Sequence, residues 1–177
     1  MNYTTRIIHS ETELNESSLP NEVRTEILKI SNRIKKGATF STNYKLNMGN
    51  RILFYGSPGT GKIIAAGLLG KDSCCEVHHI DLSMVVSKYI GETEKNISKI
   101  FDMAENKKWI LFFDEADALF GKRTGVSDAH DRYTNQEVSC LMQCIEAYNG
   151  LVILSTNLKS NIDEAFLRRF HAIIHFP

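Results

Sequence analysis

The residues with the plainest chemistry are Gly56-Ser57-Pro58-Gly59-Thr60-Gly61-Lys62, a G-x-x-x-x-G-K run. The apolar Ile52-Leu53-Phe54-Tyr55 precedes it, and the helix-compatible Ile64-Ala65-Ala66-Gly67-Leu68-Leu69 follows. A strand, a glycine loop and a helix start in that order make a phosphate cradle, because backbone N–H groups at a helix N-terminus converge on an anion. Gly56 and Gly61 let the backbone curl around phosphate oxygens without a Cβ in the way, and Lys62 reaches the β- and γ-phosphates as a point charge. The next position departs from the pattern. A Ser or Thr hydroxyl there binds Mg²⁺, and Ile63 offers no oxygen. A plain glycine turn is the alternative reading of the run.

Polar residues at the ends of later apolar runs suit the same chemistry. Asp114 closes Trp109-Ile110-Leu111-Phe112-Phe113 and can hold Mg²⁺ directly or through water, while Glu115 beside it can act as base toward a water molecule. Asn157 closes Leu151-Val152-Ile153-Leu154-Ser155-Thr156 and can hydrogen-bond that water or a γ-phosphate. Cys74-Cys75-Glu76-Val77-His78-His79 contains metal-ligating types, but adjacent residues on a strand point to opposite faces, so a zinc site is disfavoured. Cys140 and Cys144 share a helix face and fit packing better than metal, and Asp128, His130 and Asp131 read as a polar loop.

These residues need a scaffold of alternating strands and helices. Residues 1 to 18 are polar and read as a flexible or loosely docked arm. Asn21 caps a helix that begins with Glu22, carries Val23, Ile27, Ile30 and Ile34 on one face, and ends at Gly37. Residues 38 to 50 read as a linker. The helix after the glycine loop ends at Gly70, Cys75–Ile80 forms the second strand, and Asp81-Leu82-Ser83 caps a further helix. Tyr89-Ile90-Gly91 interrupts it, and a capping box within Glu92–Asn96 restarts one with Ile97, Ile100 and Phe101 inward. Residues 109–113 are apolar throughout, as in a central parallel strand covered on both faces. A basic loop at Gly121–Gly125, a long helix with Val138, Leu141, Met142 and Ile145 inward, a fourth strand at 151–154, a short helix over 163–169 and a fifth strand at 172–176 complete the chain. The pattern predicts an α/β fold with a mostly parallel sheet and ligands at the strands' carboxyl ends.

A chain of 177 residues suffices for one domain with a substantial core. Lysine plus arginine and aspartate plus glutamate number 21 each, so no overall field favours nucleic acid or an anionic membrane. No apolar run is long enough to cross a bilayer, and Met1-Asn2-Tyr3-Thr4-Thr5 lacks a signal-peptide core, so a cytoplasmic protein is expected. The four cysteines are too few and too unevenly spaced for a disulfide scaffold.

In this order the motifs resemble those of the AAA family of ATPases. Gly56 to Lys62 matches its Walker A loop, Leu111-Phe112-Phe113-Asp114-Glu115 its Walker B strand, Ser155-Thr156-Asn157 its first sensor, and Asp163-Glu164-Ala165-Phe166-Leu167-Arg168-Arg169 its second region of homology. The resemblance covers residues 19 to 177. It implies a three-layer P-loop NTPase sandwich with a five-stranded parallel sheet, ATP with Mg²⁺ as ligands, and a ring, usually a hexamer. It further implies Arg168 or Arg169 as a finger into the neighbouring subunit's site, and Tyr89 and Ile90 as a pore loop gripping a polypeptide. Surface arginines and a tyrosine packed at a helix break are the structural alternatives. The wording of Asp81 to Asn96 is similar to AAA proteins encoded beside phage-tail-like contractile injection systems.

Two departures from the family pattern qualify the expected function of an ATP-hydrolysing protein remodeller. Ile63 leaves open a nucleotide-holding ring component that hydrolyses weakly or not at all. At Phe176-Pro177, where the family continues into a helical lid, the chain stops. The expectation is a large subdomain truncated before that lid, with a monomer as the alternative to the ring. A P-loop kinase or GTPase-like switch is a weaker rival, since neither needs Asn157 with Arg168-Arg169.

Overall fold

A computed structural model describes residues 5–8, 19–40, 50–87, 89, 91–107, 109–120, 129–162 and 164–177. In chain order the elements are β1 (Arg6–Ile8), α1 (Asn21–Phe40), β2 (Asn50–Gly56), α2 (Lys62–Ser73), β3 (Glu76–Asp81), α3 (Leu82–Val85), α4 (Glu92–Ala104) and β4 (Trp109–Asp114). There follow α5 (Asp117–Phe120), α6 (Ala129–Ala147), β5 (Leu151–Thr156), a 3-10 turn (Lys159–Asn161), α7 (Glu164–Leu167) and β6 (Ala172–Phe176). The described strands form one six-stranded sheet in the order β1-β3-β4-β5-β2-β6. All neighbours are parallel except β1, which runs antiparallel to β3. No helix among the described residues is long and apolar enough to cross a membrane.

Period-two alternation along the strands builds two cores, one on each face. Leu53, Ile80, Leu111, Phe113, Val152 and Leu154 pack with Ile97, Ile100 and Phe101 of α4 and Leu141, Met142 and Ile145 of α6. Ile52, Phe54, Val77, Ile110, Phe112 and Ile153 pack on the other face with Val23, Ile27, Ile30 and Ile34 of α1 and Ala65, Ala66 and Leu69 of α2. Strand β4 is thus apolar throughout because both its faces are covered, and its polar residue comes where cover ends, at Asp114.

Several local expectations are corrected. The sheet has a sixth strand, since Arg6–Ile8 of the presumed arm pairs with Val77 to His79. Three residues are too few for a readable periodicity, and it is the β3 edge that orders them. Asn21 is the first helical residue and not the cap, because Pro20 O accepts the first helical bond from Arg24 N–H at 3.0 Å. Helix α1 continues past Gly37 to Phe40. Helix α2 also continues past Gly70, ending at Cys74 in the left-handed conformation, φ 53°, with Cys75 N–H donating to Gly70 O at 3.0 Å. Gly70 serves packing instead: a Cβ there lies 2.3 Å from Val77 Cγ2, so the missing side chain lets α2 approach β3.

The first glycine of the loop is likewise fixed by the fold. Gly56 pairs with Phe176 in the β2–β6 ladder at φ 146°, and a Cβ would sit 1.9 Å from Phe176 O. At Gly59, φ 77°, a Cβ meets nothing within 4 Å. Gly56→Ala is therefore expected to cost about 3 kcal/mol or more of stability in urea unfolding. Gly59→Ala should lose only the roughly 1–2 kcal/mol of left-handed strain. Equal losses at the two positions would contradict this packing account.

Candidate functional site

Strand β2 delivers the chain to Gly56, and residues 57 to 61 turn it into α2. The turn is closed by Thr60 Oγ1 donating to Ser57 O at 2.7 Å, and Ala65 N–H begins the helix by donating to Gly61 O at 2.9 Å. Leu19 covers the loop from outside, its Cδ2 occupying the space that a Cβ on Gly61 would take. Lys62 opens the helix and is only 7% exposed. Its ammonium donates to Gly56 O at 2.7 Å, to Ser57 O at 2.9 Å and to Asn157 Oδ1 at 3.4 Å. Burial lowers its pKa below the ordinary lysine value, against the opposing charges of Asp114 and Asp117. Ile63 is 43% exposed on the first turn of α2 and supplies no donor atom.

Asp114 ends β4 half-buried. Its Oδ1 accepts from Glu115 N–H at 3.0 Å, and its Oδ2 faces His79 Nε2 at 3.4 Å. Burial alone would raise its pKa, but His79, the nearby Ser155 hydroxyl and the Glu115 N–H together hold it below the ordinary aspartate value. The group is therefore an ionised carboxylate. Glu115 is exposed with φ 53°, a left-handed conformation costing an L-residue roughly 1–2 kcal/mol. The strained turn is tied to β5 by Ala116 N–H donating to Ser155 O at 2.9 Å.

Asp117, unassigned in the sequence reading, locks the Asn157 loop. Its Oδ1 accepts from Thr156 Oγ1 at 2.7 Å and its Oδ2 from Asn157 N–H at 2.8 Å. Its signal in the sequence was the second aspartate of Asp114-Glu115-Ala116-Asp117, three residues after the first. Lys62, Asp114, Asp117 and Asn157 thus meet at the carboxyl ends of β2, β4 and β5. A magnesium ion keeps several waters and is usually held by one or two carboxylates plus substrate phosphates. The ionised Asp114 beside a phosphate-type loop fits that demand even without a hydroxyl at position 63.

The two arginines separate. Arg169 Nη1 donates to Glu146 Oε1 at 3.0 Å and lies over the Phe166 ring at 5.6 Å, which anchors α7 to α6. The Arg168 side chain is 81% exposed with a loose 3.7 Å pair to Glu164, worth little in water. Among the described residues neither arginine forms an ion pair with those around Lys62. Asp163 lies outside the described residues.

Tyr89 is 72% exposed, which removes the alternative of a tyrosine packed at a helix break. Its N–H donates to Ser87 Oγ at 3.2 Å, and Ser87 Oγ donates in turn to Glu92 Oε2 at 2.6 Å. Ser87 N–H donates to Thr93 Oγ1 at 3.0 Å, and Asn96 Nδ2 donates to Val85 O at 3.0 Å. The expected capping box therefore does not form: α4 starts after Gly91 at φ 76° with no side-chain cap, and its polar first turn pins the Tyr89 turn instead. Ile90 lies outside the described residues.

Among the described residues no group of three or more metal-ligating side chains is assembled. His78 is buried and stacked on Trp109 with centroids 3.6 Å apart, on the opposite face from His79. Burial raises both helix thiols, Cys144 to about 11, and Cys144 packs against the core between α4 and α6. Asp128 lies outside the described residues, and His130 and Asp131 belong to α6.

The family described as "ATPase family associated with various cellular activities (AAA)" matches residues 52–177. The chain is 36% identical over 141 residues to the cell division protein C of Sulfolobus acidocaldarius, covering 75% of this chain and 38% of that protein. It is 32% identical over 133 residues to a proteasome-activating nucleotidase of Saccharolobus islandicus, covering 71% of this chain and 34% of that protein. The chain thus spans well under half the length of these relatives. Its fold is that of the FIGL-1 AAA domain, solved in complex with ADP, with a TM-score of 0.71 at 24% identity over 96% of this chain and 56% of that one.

Asp117→Ala strips the part-buried Thr156 hydroxyl and the exposed Asn157 N–H of their acceptor. It should lower stability by about 1–3 kcal/mol in denaturant unfolding. A loss below about 0.5 kcal/mol, within the range of neutral surface changes, would mean that these bonds do not hold the Asn157 loop.

Proposed function

The chain belongs to the AAA family of ATPases, and from that premise we propose that it binds ATP with Mg²⁺ on residues 56–63 and hydrolyses it to drive work on a polypeptide. The observation that carries this reading is the meeting of Lys62 with Asn157 Oδ1 at 3.4 Å, with Asp114 and Asp117 near enough to favour its charge. Lys62 takes the β- and γ-phosphates in place of the Gly56 and Ser57 carbonyls it now engages. Asp114 holds Mg²⁺, which neutralises charge developing on the phosphate oxygens when bound. Glu115 orients a water molecule and accepts its proton as the water oxygen bonds to the γ-phosphorus and ADP departs. Asn157 aligns that water or the γ-phosphate.

A ring is the assembly this reading requires. Arg168, being the more exposed of the pair, is the better candidate to reach a neighbouring subunit's γ-phosphate, while Arg169 positions α7. Exposure of Tyr89 on a pinned turn supports a pore loop of Tyr89 and Ile90 that grips substrate. The relative named a proteasome-activating nucleotidase supports a protein substrate.

Ile63 favours a second reading, a nucleotide-holding ring component with little turnover. Steady-state ATP hydrolysis by the full-length protein and its Ile63→Thr variant separates the two. Comparable, robust rates in both support the motor, and a gain of roughly 10-fold or more on restoring the hydroxyl supports the holding role. Lys62→Ala should abolish nucleotide binding in either case, and unchanged binding by that variant would overturn both readings.

A further inference from the structure

His79 belongs to none of the motifs, yet it lies against the carboxylate assigned to Mg²⁺. In the β3–β4 ladder it stands opposite Phe112, and its imidazole stacks on the Phe112 ring with centroids 5.6 Å apart and planes at 25°. Asp114 is two residues further along β4 and projects from the same face. The ring edge is thereby aimed at the carboxylate, with Nε2 3.4 Å from Oδ2 and the two side chains 22% and 23% exposed. An ionised carboxylate only accepts, so the nitrogen facing it carries the hydrogen. The other oxygen is already engaged by Glu115 N–H. Asp114 is thus held at one oxygen by its own turn and at the other from across the sheet, and rotating the carboxylate breaks both bonds.

Ile63 gives this restraint its weight. With no hydroxyl on the loop side, protein contact to a nucleotide-bound metal rests more heavily on Asp114, and so does the cost of a misaligned carboxylate. Taking the ATP-binding reading above as its basis, we propose that His79 is a positioning residue that orients Asp114 toward nucleotide-bound Mg²⁺. Partners of this kind orient metal-binding carboxylates, and their loss typically weakens metal affinity about 10-fold to 100-fold.

The test is equilibrium binding of a fluorescent ADP analogue to the full chain, titrated with Mg²⁺ and separately in EDTA. His79→Leu keeps apolar cover on Phe112 but removes the donor, and His79→Gln keeps an N–H donor. The Mg²⁺ concentration giving half of the metal-dependent gain in affinity should rise about 10-fold or more in His79→Leu. It should stay near the wild-type value in His79→Gln, and affinity in EDTA should be the same in all three proteins. If His79→Leu does not fold, His79→Ala takes its place in the same comparison. An unchanged Mg²⁺ midpoint in the donor-free variant overturns the inference, as does an equal loss of affinity with and without Mg²⁺, which marks a packing role. A wild-type chain that binds the analogue but gains nothing from Mg²⁺ overturns the inference and leaves nucleotide binding standing. A wild-type chain that binds no nucleotide in either buffer overturns both.

Discussion

A buried ammonium group organises this end of the sheet. Taking the Lys62 charge out of water is costly unless its hydrogens find partners, and it finds them in Gly56 O, Ser57 O and Asn157 Oδ1. These partners constrain two segments. The two carbonyls fix the curvature of the loop, and the amide oxygen ties the loop to the end of β5. Asp117 then holds the backbone of Asn157, so the lysine, the Asn157 amide and the acidic turn after β4 form one connected polar network. The unfavourable backbone at Glu115 is tolerated because Ala116 and Asp117 fix the residues just after it to β5 and to the loop beyond it. Helix α2 and strands β4 and β5 matter to the site as the rigid bodies that bring this network to one place.

The legible parts of the fold were those set by long apolar patterns. The continuous run at 109–113 marked the central strand, and Val23, Ile27, Ile30 and Ile34 marked the buried face of α1. The glycine loop was legible because residue type, spacing and flanks agree. Short-range signals failed where tertiary contact decided the outcome. Gly70 looked like a helix stop and is a close approach to Val77, and the polar first turn of α4 looked like a cap but restrains the turn that precedes it. Gly56 was read for phosphate approach alone, and its missing Cβ is also required by Phe176 O within the protein itself. The pairings of Asp117 and His79 were missed for a related reason. Their roles depend on partners 40 and 35 residues away in the chain, and no local pattern reports such pairings.

Ile63 and the arginine pair show how the same fold can vary its output. Position 63 is partly exposed and outside the Lys62 network, so an apolar residue there leaves the loop intact while removing an oxygen from its mouth. Adjacent arginines look equivalent in sequence, but one is spent on Glu146 and Phe166 and the other extends into solvent. On the proposed reading Lys62, Asp114 and Asn157 face the nucleotide from one chain, and Arg168 is directed outward, where a ring would supply a neighbour.

The claim on which the account depends is that the ends of β2, β4 and β5 serve a single triphosphate. A crystal structure of the chain with a non-hydrolysable ATP analogue and Mg²⁺ tests it most directly. The account predicts that Lys62 Nζ leaves the Gly56 and Ser57 carbonyls for phosphate oxygens at about 3 Å, with the γ-phosphate within reach of Asn157. An analogue bound elsewhere, or Lys62 still donating to both carbonyls with the loop occupied, would contradict it.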